Sequence, residues 1–152
     1  MHSKGTHRIV LTAILVLSFA PAVYSQLGVR AGSYTDLDEL FIGGEYLTAL
    51  GPRTYLNPNI EYVFLENATF LSFNMDLHYD FYQSNNAFMW AGGGLGMQYL
   101  DYDRINDSST EAAVNLLLGL GFETQSHIIP YVQGKMILGD YDDLVLGIGI
   151  RF

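Results

Sequence analysis

The chain has no cysteine in its 152 residues. That absence removes disulfides, thiolate metal sites, cysteine nucleophiles and a lipid-attached cysteine together. Basic residues are scarce, 7 Lys and Arg against 16 Asp and Glu, for a formal net charge of −9. Nucleic acid is therefore excluded as a partner, since its phosphates demand the opposite sign. The one long apolar run is Ile9 to Ala20, well short of the roughly 20 residues that a spanning helix needs. Beyond it no stretch repeats its apolar residues at helical spacing, so no α-helix is expected in the body of the chain.

What the N-terminus does have is a secretory signal peptide. Lys4 and Arg8 open it, the apolar run follows, and Val23-Tyr24-Ser25 supplies a processing site. Residues 1–25 are assigned to it, with cleavage before Gln26 and a second option after Ala22. Its loss would leave residues 26–152 as one domain with 5 basic and 16 acidic residues, a net charge of −11. The acids gather in short clusters: Asp36, Asp38 and Glu39; Glu66; Asp101, Asp103 and Asp107; Asp140, Asp142 and Asp143. They read as a solvated rim. The run Asp101-Tyr-Asp-Arg-Ile-Asn-Asp107 lacks the glycine and closing glutamate of a calcium loop, so neither metal nor cofactor is expected.

From Gln26 onward the sequence breaks into eight segments that alternate with period two. They are Gln26–Tyr34, Leu40–Leu50, Thr54–Phe64, Thr69–Phe81, Ala87–Tyr99, Glu111–Glu123, Ile128–Leu138 and Asp143–Phe152, with Leu100–Thr110 read as a loop. At about 9 to 13 residues each, they match tilted strands that cross a bilayer. Pro58 falls inside the third, where a missing N–H predicts a bulge or a strand end. One parity is apolar throughout, as in Leu71, Phe73, Met75, Leu77 and Tyr79. The other holds the charges and most of the glycines, among them Gly28, Gly32, Gly43, Gly92, Gly94, Gly96, Gly119, Gly121, Gly147 and Gly149. A soluble lipocalin-like barrel would turn the apolar parity inward. Eight strands enclose a bore only just filled by side chains, so the glycine-rich parity belongs inside and the apolar one outside. Tyr62, Phe64 and Tyr99 then fall near one membrane boundary, and Tyr79, Phe122 and Phe152 near the other.

Eight strands, the Gly92-Gly-Gly-Leu-Gly-Met97 run, short turns alternating with longer polar loops, and the ending Ile148-Gly-Ile-Arg-Phe152 together resemble the OmpA/OmpX-like small outer-membrane β-barrel family. The resemblance covers residues 26–152. It implies an all-β, eight-stranded antiparallel up-and-down transmembrane barrel in the bacterial outer membrane, with periplasmic termini and outward loops. It also implies that Phe152 is the signal read by the barrel-assembly machinery, and that outer-membrane lipid or lipopolysaccharide surrounds the barrel. The chain ends at the barrel, so no peptidoglycan-binding domain is expected after it.

Chemistry is sparse. His78 lies between Asp76 and Asp80 on the inward parity of one strand, and His127 lies in a predicted turn. An inward Asp-x-His-x-Asp is more often part of a buried ion network than a catalytic or metal site, so no enzyme is expected. The lumen network is assigned to Arg30, Glu45, Glu61, Asp76, His78, Asp80, Glu123, Lys135 and Arg151. Within it Arg30 is expected to meet Glu45, Lys135 to reach Glu61 or Asp76, and Arg151 to reach Asp80. Bulky inward residues (Phe41, Phe88, Trp90 and Tyr131) complete the filling. The reading is a structural and surface-interaction barrel, with a narrow porin-like channel as the alternative and a lipid-modifying enzyme ranked below both. The surface partner is left open.

Overall fold

A computed structural model describes residues 25–103 and 107–152. Apart from Ser25, the assigned signal peptide lies outside the described residues, as do Arg104 to Asn106 of the Asp101–Asp107 acidic run. Eight strands form one closed antiparallel barrel in sequence order: β1 (Ser25–Tyr34), β2 (Glu39–Ala49), β3 (Thr54–Leu65), β4 (Ala68–Gln83), β5 (Ala87–Tyr102), β6 (Asp107–Phe122), β7 (Ile129–Gly139) and β8 (Asp143–Arg151). The ring closes where β8 pairs with β1, from Gly28↔Arg151 to Tyr34↔Val145. Phe152 extends this seam, because its N–H and C=O bond to Leu27 at 2.9 and 3.2 Å. No sheet edge is left open, which is the one way a sheet can cross hydrocarbon without unpaired backbone groups.

Ser25 and Phe152 share one end of the barrel, here termed the terminal end, with the connections 50–53, 84–86 and 123–128. The distal end carries 35–38, 66–67, 103–106 and 140–142. Among the described residues the distal connections are as short as those at the terminal end. Most of Leu100–Thr110, expected as a loop, is strand. Leu100 pairs with Ser109 and Tyr102 with Asp107, and Leu100 turns inward to pack in the apolar cluster with Ala68 and Phe70. One inward leucine holds a stretch whose serines and aspartates look like loop. The two-residue turn Glu66-Asn67 places Asn67 at φ 60°, and Asp38 takes φ 55° in the β1–β2 turn; asparagine and aspartate are the side chains that best accept this left-handed region.

Pro58 produces no bulge. The β2–β3 ladder lapses opposite it at Tyr46 and Leu47, then resumes at Thr48↔Leu56 in unchanged register, while β3 stays paired with β4 through Pro58↔Met75. The register shift lies elsewhere, between Asp80 and Tyr82 in the β4–β5 pair. There the extra residue, Phe81, lets two successive aromatics, Phe81 and Tyr82, both lie exposed on the outside.

The burial pattern is inverted relative to a water-soluble domain. Leu27, Ile42, Leu95, Leu118 and Ile148 are all more than half exposed, whereas Arg30, Glu61, Asp76, Lys135 and Arg151 are buried. An apolar exterior of that extent is stable only against another apolar phase. Outward aromatics mark both margins. Tyr62 and Phe64 pack edge to face at 5.2 Å toward the distal end, with Tyr99 in the same ladder row as Tyr62 through Leu71. Tyr79, Phe81, Tyr82, Phe122 and Phe152 lie exposed toward the terminal end.

Candidate functional site

Among the described residues, chemistry-bearing side chains converge in the lumen, and β-sheet geometry explains how they meet. Residues directly opposite on neighbouring strands share a face, so two residues that flank the same position on a middle strand are two strands apart. They can touch only if that middle position carries no side chain. Glycine occupies it in four cases. Arg151 and Glu45 both pair with Gly28, and Arg151 Nε donates to Glu45 Oε1 at 2.7 Å. Arg30 and Glu61 both pair with Gly43, and Arg30 Nη2 donates to Glu61 Oε1. Asp76 and Asn115 flank Gly94, and Asn115 Nδ2 donates to Asp76 Oδ1 at 2.9 Å. Trp90 and Gln133 flank Gly119, and the indole N–H donates to Gln133 Oε1 at 3.2 Å.

These contacts join into one network. Lys135 Nζ reaches both Glu61 oxygens at 2.8 Å, and the Tyr34 hydroxyl donates to Glu61 Oε2. Arg30 Nη1 approaches Glu45 at 3.6 Å, too far for a hydrogen bond. Arg30 therefore leans chiefly on Glu61, and Glu45 is held by Arg151 and by Asn57 Nδ2 at 2.9 Å. Asp76 forms no ion pair among the described residues. Its carboxylate accepts amide N–H groups from Asn59 and Asn115, each at 2.9 Å, and Asn74 links those two amides at 3.1 and 2.8 Å.

Three expected placements are corrected. Arg151 meets Glu45 rather than Asp80, because the stagger of the closed barrel brings β8 and β2 together over Gly28. Its guanidinium also lies 4.8 Å from the Trp90 ring centroid and 4.4 Å from that of Tyr131, a favourable cation–π setting. Glu123 lies exposed in the β6–β7 connection, outside the network. Asp143, read as part of a solvated rim, is buried. Its carboxylate accepts the backbone N–H groups of Asp36 and Leu37 at 2.9 and 3.3 Å, fastening the β1–β2 turn to β8. His78 is buried and stacks on Trp90 at 5.7 Å, with 15° between planes. It bonds neither Asp76 nor Asp80, and among the described residues no cluster of three or more His, Cys, Asp or Glu is set to hold a metal. Sequence reasoning missed Tyr34 and the amides of Asn57, Asn59, Asn74 and Asn115. All of them lie on the inward parity, so parity alone could have nominated them.

Above the ionic layer, Tyr34, Phe41, Val63, Phe70, Leu100, Ile137 and Val145 form an apolar plug toward the distal end. Within the layer, the space between Arg30, Phe41, Tyr131, Gln133, Lys135 and Val145 is about 10 Å³, room for one water at most. The terminal end is open by contrast, with a vestibule of about 530 Å³ beneath Arg151 and His78.

The glycines make the arrangement testable. A Cβ on Gly28 would lie 2.7 Å from Glu45 Oε1 and 3.1 Å from the Ile150 carbonyl, whereas one on the outward Gly44 meets nothing nearer than 4.0 Å. Gly28→Ala should destabilise the barrel by about 1–3 kcal/mol, and Gly44→Ala should not. Equal urea midpoints for the two variants would refute the spacer role.

These features define a small eight-stranded barrel with an apolar exterior and a polar, filled lumen. No family profile matches the chain and no curated protein matches its sequence, but solved structures share the fold. The N-terminal β-barrel domain of Pseudomonas aeruginosa OprF superposes with a TM-score of 0.73 at 14% identity, over 84% of this chain and 95% of that one. Neisserial surface protein A gives 0.63 at 10% identity, over 84% and 92%. Ail, the attachment invasion locus protein of Yersinia pestis, in complex with the heparin analogue sucrose octasulfate, gives 0.57 at 14% identity, over 84% and 97%. At such identities the likeness is one of fold.

Proposed function

We propose that this chain is an integral protein of the bacterial outer membrane whose closed barrel serves structure and surface contact, and neither conducts solutes nor catalyses a reaction. The observation that carries this reading is the filled bore. Three buried cations, Arg30, Lys135 and Arg151, are tied to Glu45 and Glu61 across it, and the residual space beside Arg30 and Lys135 is about 10 Å³. Outer-membrane lipid and lipopolysaccharide would meet the apolar belt. The barrel-assembly machinery would engage β8 through Phe152, which lies exposed on the outside of the β8–β1 seam.

The distal rim would face outward. Asp36, Asp38, Glu39, Glu66, Asp101, Asp103 and Asp107 lie along it, and among the described residues it carries no lysine or arginine. A surface partner should thus be cationic. The sulfated ligand in the Ail structure is a polyanion, and an acidic rim repels such a molecule, so that mode of contact is not carried over. Planar-bilayer recording on the purified protein provides the test. No discrete conductance steps are expected; reproducible ohmic steps would overturn the closed-barrel reading and put the narrow channel in its place.

A further inference from the structure

We propose that the terminal-end vestibule is a binding site for a small zwitterion, its carboxylate directed inward to Arg151 and His78 and its ammonium outward to Asp80 and Glu123. The cavity, about 530 Å³, is within the usual range for small-molecule sites. Its inner wall contains two side chains that are each 1% exposed, His78 and Arg151, and His78 Nε2 and Arg151 Nη2 have no hydrogen-bond partner among the described residues. Neither group is free to turn elsewhere. Arg151 is fixed through Nε to Glu45 at 2.7 Å and lies against the Trp90 and Tyr131 rings, while the His78 imidazole is stacked on Trp90. Buried polar groups left unpaired are costly and uncommon, and the side chains that carry these two line the same cavity.

The sign of charge reverses toward the mouth. Asp80 follows His78 by two residues on the same face of β4, so it stands roughly 7 Å further along the strand, and Glu123 lies beyond it; both line the cavity. A simple anion would be opposed by these carboxylates, and a simple cation by Arg151. A molecule with a carboxylate at one end and an ammonium at the other satisfies both walls, and Leu47, Phe88 and Ile129 offer apolar cover for its body.

Trp90 is the only tryptophan of the chain and forms the roof against which both His78 and Arg151 pack, so its emission responds to events in this site. The full chain, folded in detergent micelles, is titrated with L-leucine, with 4-methylpentanoate (the same body without the ammonium) and with 3-methylbutylamine (the same body without the carboxylate). Leucine is expected to give a saturable change in Trp90 emission, with each single-charge analogue weaker by about tenfold or more. Asp80→Asn should bring leucine down to the affinity of 4-methylpentanoate. Glu123→Gln, at an exposed position that does not threaten folding, should weaken leucine and tighten 4-methylpentanoate, whose carboxylate it no longer opposes. Absence of a saturable response to leucine would overturn the site, and equal binding of leucine and 4-methylpentanoate would overturn the zwitterion class.

Discussion

Glu61→Ala should be the most damaging single truncation in the lumen, at a cost of about 3–5 kcal/mol, the range for breaking a buried ion pair from one side. Glu61 is fully buried. Among the described residues it is the one carboxylate within ion-pair distance of Lys135, through two contacts of 2.8 Å, while also accepting from Arg30 and Tyr34. Without it Arg30 can shift toward Glu45, already 3.6 Å away. Lys135 keeps only the more distant field of Asp76, whose carboxylate is held in place by the Asn59 and Asn115 amides. Lys135→Met should cost less, because Glu61 then keeps Arg30 and Tyr34. The double variant Glu61→Leu with Lys135→Met should recover much of the loss, as uncharged replacements of buried pairs often do. Urea unfolding of the protein in lipid vesicles measures all three. A cost for Glu61→Ala within about 0.5 kcal/mol of wild type, the range of an ordinary surface substitution, would show that the ionic layer contributes nothing to stability.

Much of the fold was legible because period two is a strong signal and every strand is half apolar. Once the glycines are assigned to the bore, parity determines the facing of Arg30, Glu61, Asp76, Lys135 and Trp90. Three features escaped that logic. The tips of β5 and β6 were hidden by composition, since Asp101, Ser108 and Ser109 resemble loop unless Leu100 is known to turn inward. The missing donor of Pro58 predicts a bulge or a strand end there. The ladder simply omits bonds there, and the inserted residue is Phe81, where no residue type announces it. The partner of Arg151 could not be read because it depends on the stagger between strands, a property of the closed sheet rather than of any one strand. Glycine position does carry this information in retrospect. Gly28, Gly43, Gly94 and Gly119 each stand between two residues that bond across them, so an inward glycine at mid-strand marks a pair to be sought two strands apart.

On the outside, Leu118→Arg should lower stability by about 2–4 kcal/mol, the cost of a cation near the bilayer midplane on a barrel's lipid face. Leu118 is 54% exposed and stands in β6 four residues before Phe122, between Ala91 of β5 and Gly134 of β7. Its small neighbours offer the guanidinium no oxygen to bond, and the long stem must climb along β6 before the head reaches water. Phe122, at the end of the same strand and also outward, lies close to the boundary, where the same charge costs about 0–1 kcal/mol. Asp107 begins β6 at the exposed distal rim, and Asp107→Arg should cost little. The three substitutions therefore sample one strand inside the belt, at its terminal boundary and beyond its distal margin. Unfolding free energies in vesicles should be lowest for Leu118→Arg and near wild type for the other two. If the three agree, the outer face of β6 is not immersed in hydrocarbon and the membrane-spanning reading fails. Should Asp107→Arg be the costliest, the belt must instead lie toward the distal end, with the acidic rim drawn into it.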